Sequence, residues 1–122
     1  MKPSEIILND KESVKAGAQK VLKAVGELVK NGAATLLQDG NSVLVLINLG
    51  EGDVELHLYT VDQPLQVARA VKTFIQKIRN SDIKAVYGTA PMDSPVVKML
   101  EIQGVDVKES HKNDRYNWMA KV

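Results

Sequence analysis

One segment limits the folds open to this chain more than any other: a strand, a long helix and a second strand follow one another without interruption. The strands are VELHLYT at Val54–Thr60 and a second run at Ile83–Tyr87. The helix begins at Pro64, a residue suited to a first turn because its missing N–H is not needed there, and ends near Asn80. Its apolar residues recur three and four apart, at Val67, Val71, Phe74, Ile75 and Ile78. Strands joined in this way run parallel with a right-handed crossover, which predicts an α/β fold.

Upstream, apolar residues at helical spacing predict one long helix that is capped by Asn9-Asp10 and runs to about Asn31. Gly17 and Gly26 each weaken such a helix by about 1 kcal/mol relative to alanine, so these positions are consistent with either close packing or a break in the helix, one candidate being a break near Gly26. The short apolar run Glu5–Leu8 ahead of the helix predicts an edge strand.

Between this helix and the crossover, the sequence predicts three antiparallel strands. The runs at 34–38 and 42–49 are joined by Asp39-Gly40-Asn41, and Asp-Gly between apolar runs is the strongest short-range hairpin signal. A second turn at Gly50–Asp53 leads into Val54–Thr60. Because the run Val43–Leu49 is apolar on both sides, both of its faces are expected to be covered, one by the first helix and the other by later helices.

The C-terminal part predicts a third helix and a hairpin. The helix opens at Asp93 or Ser94, has Pro95 in its first turn and ends at Gly104. The hairpin strands are Val105–Ser110 and Tyr116–Val122. Residues 1–122 are thus expected to form a single domain, with a mixed, mostly antiparallel sheet of about six to seven strands and helices on both faces.

This order of helix, meander, crossover, helix and hairpin resembles the GNAT (N-acetyltransferase) superfamily over nearly the whole chain. The segment Val96–Val105 also resembles that family's helix-into-strand motif, with an apolar pair, polar residues, an apolar residue and a glycine. The resemblance implies a GNAT-like fold, acetyl-CoA as the cofactor and an amine as the acceptor. It further implies that the strands Val54–Thr60 and Ile83–Tyr87 splay apart around the cofactor.

The same resemblance assigns cofactor contacts to the end of the first crossover strand, for the pantetheine arm, and to the start of the following helix, for the pyrophosphate. The residues are Leu58, Tyr59, Val61, Gln66, Ala68, Arg69 and Ala70. The family's loop is glycine-rich, whereas the best register here, Leu65–Ala70, matches the motif only at Ala70. Ala68 and Ala70 are also explained by the packing of a helix on a sheet, while Gln66 and Arg69 would reach phosphate through their side chains.

Glu55 and His57 are the candidate catalytic residues. Strand alternation places them on one face, about 7 Å apart along the strand. The resemblance implies a group near this strand that deprotonates the amine, and a Glu–His pair suits acid–base work. The alternative is a polar strand face with a structural histidine.

Two further positions bear on chemistry. The tyrosine with which the family protonates the departing thiolate corresponds to Leu100, which cannot transfer a proton, and neither Tyr87 nor Tyr116 is placed in that role by the motif. Gly88–Asp93 is predicted as a loop after a strand, where open α/β sheets bind ligands.

Composition excludes several classes of function. Cysteine is absent, so disulfides, thiolate nucleophiles and Cys-ligated zinc are excluded, and two distant histidines make no metal site. A net charge of +1 provides no bulk attraction to nucleic acid or anionic lipid. No apolar run approaches the roughly 18 residues of a membrane span, and the N-terminal residues do not have the pattern of a signal peptide. A cytoplasmic protein is the expectation.

Two functions are consistent with these observations. The first is a GNAT-type acetyltransferase with a degenerate cofactor loop, which takes acetyl-CoA and an amine. The second is a non-catalytic GNAT-fold protein that binds a protein partner or has a structural role. Small phage-encoded acetyltransferase-like proteins are similar in size and in the leucine at position 100, which suggests a phage origin and, with it, the host cytoplasm or the virion.

Overall fold

The computed structural model describes residues 1–91, 96–112 and 115–122. The elements in chain order are α1 (Pro3–Asn9), α2 (Lys11–Ala16), α3 (Ala18–Lys30), β1 (Ala34–Asp39), β2 (Ser42–Gly50), β3 (Asp53–Thr60), α4 (Pro64–Arg79), β4 (Ala85–Pro91), α5 (Val96–Ile102), β5 (Val107–Lys112) and β6 (Arg115–Lys121). Six strands form one sheet in the order β1-β2-β3-β4-β6-β5. Every neighbouring pair is antiparallel except β3 and β4, which are parallel. The predicted fold class and crossover are confirmed.

The N-terminal region differs from its prediction, because the edge strand expected at Glu5–Leu8 is part of helix α1. Ile6 and Ile7 are neighbours in sequence, and both are almost fully buried in the same cluster. A strand would send them to opposite faces, whereas a helix separates them by only about 100°. The backbone N–H of Lys2 also bonds to the Glu5 carboxylate at 3.0 Å, which stabilises the first turn.

The long helix expected after Asp10 is broken at Gly17, one of the two glycines at which the sequence allows a break, and it is not broken at the other candidate, Gly26. Gly17 has a φ of 95°, a left-handed conformation that glycine adopts without a Cβ clash. Gly26 lies inside the continuous helix α3. Asp10 caps α2 as predicted, accepting a bond of 3.0 Å from the Ser13 N–H.

The sheet separates two hydrophobic clusters, and strand β2 contributes alternate residues to both. Leu44 and Leu46 pack with α4 in the larger cluster, whereas Val43 and Val45 pack with α1 and α3 in the smaller one. Both faces of this part of β2 are therefore covered, as predicted. The predicted apolar stripe of α4 is buried as well, and each such side chain contributes about 1.5–3 kcal/mol by leaving water.

Strand β4 begins and ends later than predicted. It starts at Ala85, two residues after the predicted Ile83, and it continues through Gly88 to Pro91, a segment predicted to be a loop. The continuation has a physical reason, because β6 keeps pairing with β4 after β3 has left it, from Gly88 with Trp118 to Pro91 with Arg115.

The C-terminal elements agree with the predicted order. The expected start of the third helix at Asp93–Pro95 lies outside the described residues, and Gly104 ends the helix with a φ of 78°. The hairpin strand β5 begins at Val107 rather than Val105. Of the described helices, none combines the length and apolar character required to cross a membrane.

Candidate functional site

The two parallel strands of the crossover separate after a short contact. Within the described residues, β3 and β4 pair from Asp53 with Ala85 to Glu55 with Tyr87. Strand β3 then continues to Thr60 beside β2, while β4 continues beside β6. A wedge-shaped gap therefore opens between the two strands in the middle of the sheet.

A cavity of about 580 Å³ extends from this gap beneath α4 and α5. Its interior is lined by buried Ala90 and by apolar side chains of the larger cluster, including Leu56, Leu58, Val67, Val71, Phe74, Val86, Leu100 and Trp118. Cavities of this size and apolar character hold small organic ligands. The gap is consequently the candidate site, and we call it the cleft.

The β3 edge of the cleft presents backbone groups to a ligand. The Gly52 carbonyl faces β4, because it accepts a bond of 2.7 Å from the Lys84 N–H. The Val61 N–H faces β2, where it bonds to the Asn41 carbonyl. Successive residues of a strand alternate in direction, and the β2–β3 register is continuous over this stretch. The C=O group of Leu56 and both backbone groups of Leu58 therefore face the cleft, whereas the Leu56 N–H is directed to the Tyr87 carbonyl in the last β3–β4 contact.

Polar groups surround the last residue of β3 at the mouth of the cleft. Asp10 is buried and accepts bonds from the Ser13 N–H at 3.0 Å and the Thr60 N–H at 2.9 Å. On the other side of Thr60, its hydroxyl lies 2.7 Å from the Ser42 hydroxyl, which donates to Asp62 at 3.1 Å. Two carboxylates thus flank the end of β3.

Arg115 connects the two sides of the mouth. Its Nη1 lies 3.2 Å from Oε1 of Glu12 in α2, and its Nη2 donates to the Thr89 hydroxyl of β4 at 3.3 Å. Glu12, Thr89 and Arg115 all line the cavity. The guanidinium is about half exposed and therefore forms a solvent-facing bridge over the opening.

The structure brings the two predicted catalytic residues together. His57 Nε2 lies 3.2 Å from Glu55 Oε2, and both side chains remain about 40% exposed. His57 also lines the cavity. On the same face of β3, burial raises the pKa of Tyr59 above its ordinary value, and the carboxylates of Asp10, Glu12 and Glu55 raise it further. The region beside the cleft is therefore electrostatically negative.

Two buried polar atoms beside the cleft have no hydrogen-bond partner among the described residues: Ser13 Oγ and Trp118 Nε1. Both residues line the cavity. The indole lies against Gly88, its cross-strand partner, where a Cβ would overlap the ring. Sequence analysis missed Trp118 and named Gly88 only as part of a predicted loop, because only the register of β4 and β6 places the glycine opposite the aromatic ring.

The predicted cofactor residues fall into two groups. Leu58 and Tyr59 line the cavity. The remaining five lie elsewhere: Val61 is exposed after the end of β3, Gln66 and Arg69 are exposed on α4, Ala68 is half-buried, and Ala70 is fully buried in the larger cluster. Leu100, which the sequence motif aligns with the family's tyrosine, is buried and lines the cavity.

No family model and no curated protein matches this sequence. Solved structures match it over nearly its whole length. A protein assigned to the GNAT acetyltransferase family from Desulfovibrio desulfuricans has a TM-score of 0.67 at 12% identity and covers 98% of this chain and 91% of its own. This chain has the GNAT fold. An acetyltransferase from Bacillus subtilis in complex with CoA has a TM-score of 0.64 at 12% identity, with 97% and 90% covered. The IAA acetyltransferase from Bacillus cereus has a TM-score of 0.61 at 11% identity, with 99% and 93% covered.

The GNAT fold implies acetyl-CoA, and the residues of the cleft fit one part of that molecule. The free backbone groups of Leu56 and Leu58, the apolar cavity and the unpartnered indole N–H suit an acyl-pantetheine arm, which carries amides on an otherwise slender chain. The helix start does not fit a pyrophosphate. Pro64 has no N–H, and the Gln63 N–H is already bonded to Gln66 Oε1 at 3.0 Å.

Proposed function

We propose that this protein transfers an acyl group from a pantetheine thioester, such as the one in acetyl-CoA, to an amine. One observation carries the proposal: β3 and β4 separate after Glu55, and the β3 edge beyond this point runs along an apolar cavity and pairs with no other strand among the described residues. The bound thioester supplies the acyl group: the amine nitrogen bonds to the acyl carbon, the carbon–sulfur bond breaks, and the pantetheine thiol leaves with the proton that the amine loses. The groups discussed below belong to the chain itself.

The strand edge at Leu56 and Leu58 binds the amides of the arm as an added strand would be bound, with the Leu58 N–H donating and the two C=O groups accepting. Trp118 Nε1 supplies one more donor from the opposite wall of the cleft. It is buried and has no partner among the described residues, which is unfavourable by about 1–3 kcal/mol unless a ligand accepts the bond.

Glu55 and His57 act on the amine. An amine must lose a proton to become a nucleophile, and a neutral imidazole near neutral pH can accept it. Glu55, at 3.2 Å, then stabilises the charged imidazolium. Both side chains are accessible to an amine that approaches from the α1–α3 side of the sheet.

A specific observation favours a second function, which is ligand binding without catalysis. Leu100 lines the cavity, and the motif aligns it with the family's tyrosine, whereas a leucine cannot donate a proton. Under this alternative, the cleft binds its ligand and no acyl transfer follows.

The deciding experiment uses calorimetric titration with acetyl-CoA and with S-acetylpantetheine, followed by an acetylation assay over a panel of amines. Trp118 is the sole tryptophan, so its fluorescence reports binding in the cleft directly. Saturable binding with turnover supports the transferase, and saturable binding without turnover supports the second function. Absence of binding by either thioester at millimolar concentration contradicts both.

Variants assign the roles. In the transferase, His57→Ala and Glu55→Gln lower turnover by about 10²–10⁴-fold and about tenfold or more, respectively, while ligand affinity is retained. Glu51→Gln, in the exposed turn before β3, is the matched control and keeps wild-type turnover. Unchanged turnover in His57→Ala would remove the pair from the mechanism.

A further inference from the structure

The mouth of the cleft carries an excess of negative charge at the end next to α4. Asp10 and Asp62 flank Thr60, and Glu12 lies on the adjacent rim. The chain passes directly from Thr60 through Asp62 to the first turn of α4. A ligand that enters along β3 and extends past its end therefore meets carboxylates.

Near these carboxylates, the cationic side chains of the described residues are not placed to attract the phosphate of a ligand. Arg115 is the cation next to these carboxylates, and it is already bonded to Glu12 and Thr89. Two other cations line the cavity away from them: Arg79 ends α4 and donates to the Gln103 and Gly104 carbonyls, and Lys121 lies at the opposite end of β6 from Arg115. Arg69 is exposed on α4, about 200° around the helix from Val67 of the buried stripe, and so lies on the side away from the sheet.

The start of α4 is also a poor anion site. Helix N-termini bind phosphate through free N–H groups. Here Pro64 contributes none, and the Gln66 side chain occupies the Gln63 N–H. The same glutamine is therefore committed to the helix start and is unsuited to a phosphate contact.

Unlike the mouth, the interior of the cleft is suited to an uncharged, amide-containing ligand. It has free backbone groups at Leu56 and Leu58 and a buried donor at Trp118 Nε1 that has no partner in the described part of the chain. These groups can form hydrogen bonds with the amides of a pantetheine arm, and they can do so whether or not the ligand carries a nucleotide.

We infer that the cleft recognises acyl thioesters of pantetheine through the pantetheine arm alone, with no favourable contribution from the nucleotide phosphates of CoA. This inference rests on the proposed function and specifies its donor. The substrate class is then S-acyl-pantetheine, and the nucleotide part of CoA extends past the mouth into solvent.

The test compares the dissociation constants of acetyl-CoA, S-acetyl-4′-phosphopantetheine and S-acetylpantetheine for the wild-type protein, measured by calorimetry and by Trp118 fluorescence. The expected result is that S-acetylpantetheine binds as tightly as acetyl-CoA or more tightly. Acetyl-CoA binding that is about tenfold tighter or more would overturn the inference while leaving the proposed function intact. If none of the three ligands binds, both the proposed function and this inference are contradicted.

The direction in which ligand affinity changes with salt concentration provides an independent test. Salt screens repulsion between like charges, so the affinity for acetyl-CoA should rise with ionic strength while that for S-acetylpantetheine stays constant. A phosphate site built from cations would give the opposite sign, an affinity that falls with salt, and that result overturns the inference.

Charge variants locate the effect. Glu12→Gln removes one carboxylate from the mouth and frees Arg115, so it should strengthen acetyl-CoA binding about twofold to threefold relative to S-acetylpantetheine. Glu27→Gln makes the same chemical change on the exposed face of α3 and should leave the ratio unchanged. If the ratio of the two dissociation constants is the same in Glu12→Gln and Glu27→Gln, the carboxylates at the mouth do not distinguish acetyl-CoA from S-acetylpantetheine, and this part of the inference is overturned.

Discussion

The indole ring of Trp118 packs directly on the backbone of Gly88, its cross-strand partner in the antiparallel pair of β4 and β6. Gly88 is the first residue of β4 beyond the contact with β3. The absence of a side chain there lets the ring pack against the backbone beside the cleft, where its N–H has no hydrogen-bond partner among the described residues. A glycine thus determines where the one tryptophan of the chain is placed.

Gly88→Ala is expected to destabilise the protein. The new Cβ would overlap the indole, and displacement of a buried ring from a packed core raises the free energy of the folded state by about 1–3 kcal/mol. Urea unfolding followed by far-UV circular dichroism measures the change. An unchanged midpoint would show that the ring moves aside freely and that Gly88 does not position it.

Gly17→Ala and Gly26→Ala are expected to have opposite effects, although both replace a glycine in the N-terminal helices. Gly17 has a φ of 95°, so alanine there is unfavourable by about 1–2 kcal/mol. Gly26 lies in regular helix with open space around it, so alanine should stabilise α3 by about 0.5–1 kcal/mol. Thermal unfolding of the two variants measures both effects, and a stabilising Gly17→Ala would contradict the break between α2 and α3.

Asp10→Ala is expected to lower the free energy of unfolding by about 2–4 kcal/mol, because it leaves the backbone N–H groups of Ser13 and Thr60 without their acceptor. Asp10→Asn retains one carbonyl oxygen as an acceptor, so its free energy of unfolding should lie between those of Asp10→Ala and the wild type. Asp106→Ala, at an exposed loop position, is the control and should stay within about 0.5 kcal/mol of the wild type. An unchanged free energy of unfolding for Asp10→Ala in chemical denaturation would mean that water replaces the carboxylate as the acceptor for these N–H groups.

Tyr59 should make stability depend on alkaline pH. Burial and neighbouring carboxylates raise its pKa from the ordinary 10.0, so the folded protein holds the phenolic proton more tightly than the unfolded chain does. The free energy of unfolding is therefore unaffected by this group below pH 10. It falls as the pH rises from 10 through the folded-state pKa.

Tyr59→Phe removes this contribution, so the difference in stability between wild type and variant should change only above pH 10. Denaturant unfolding across the alkaline range measures it, and the tyrosinate absorbance should show one group that titrates late and is lost in the variant. A constant difference over the whole range would mean that Tyr59 titrates like a solvent-exposed tyrosine.

Local patterns in the sequence were sufficient to predict most of the elements. The stripe of α4, the Asp-Gly hairpin and the alternation of β3 are repeats over a few residues, and each reflects the one-sided burial of a single element. The order of these elements then predicted the crossover, and alternation alone predicted that Glu55 and His57 share a face. Their contact at 3.2 Å agrees with that prediction.

Tertiary structure decided the features that join distant parts of the chain. The point at which β3 leaves β4 depends on the competing partner β6, and the Glu12–Arg115 bridge joins residues 103 positions apart. The helical state of Ile6 and Ile7 depends on the cluster into which both are buried, because a run of four residues is compatible with either structure. Local periodicity encodes which face of an element is buried, whereas the cleft and its mouth are set by register and by partners that lie far away in sequence.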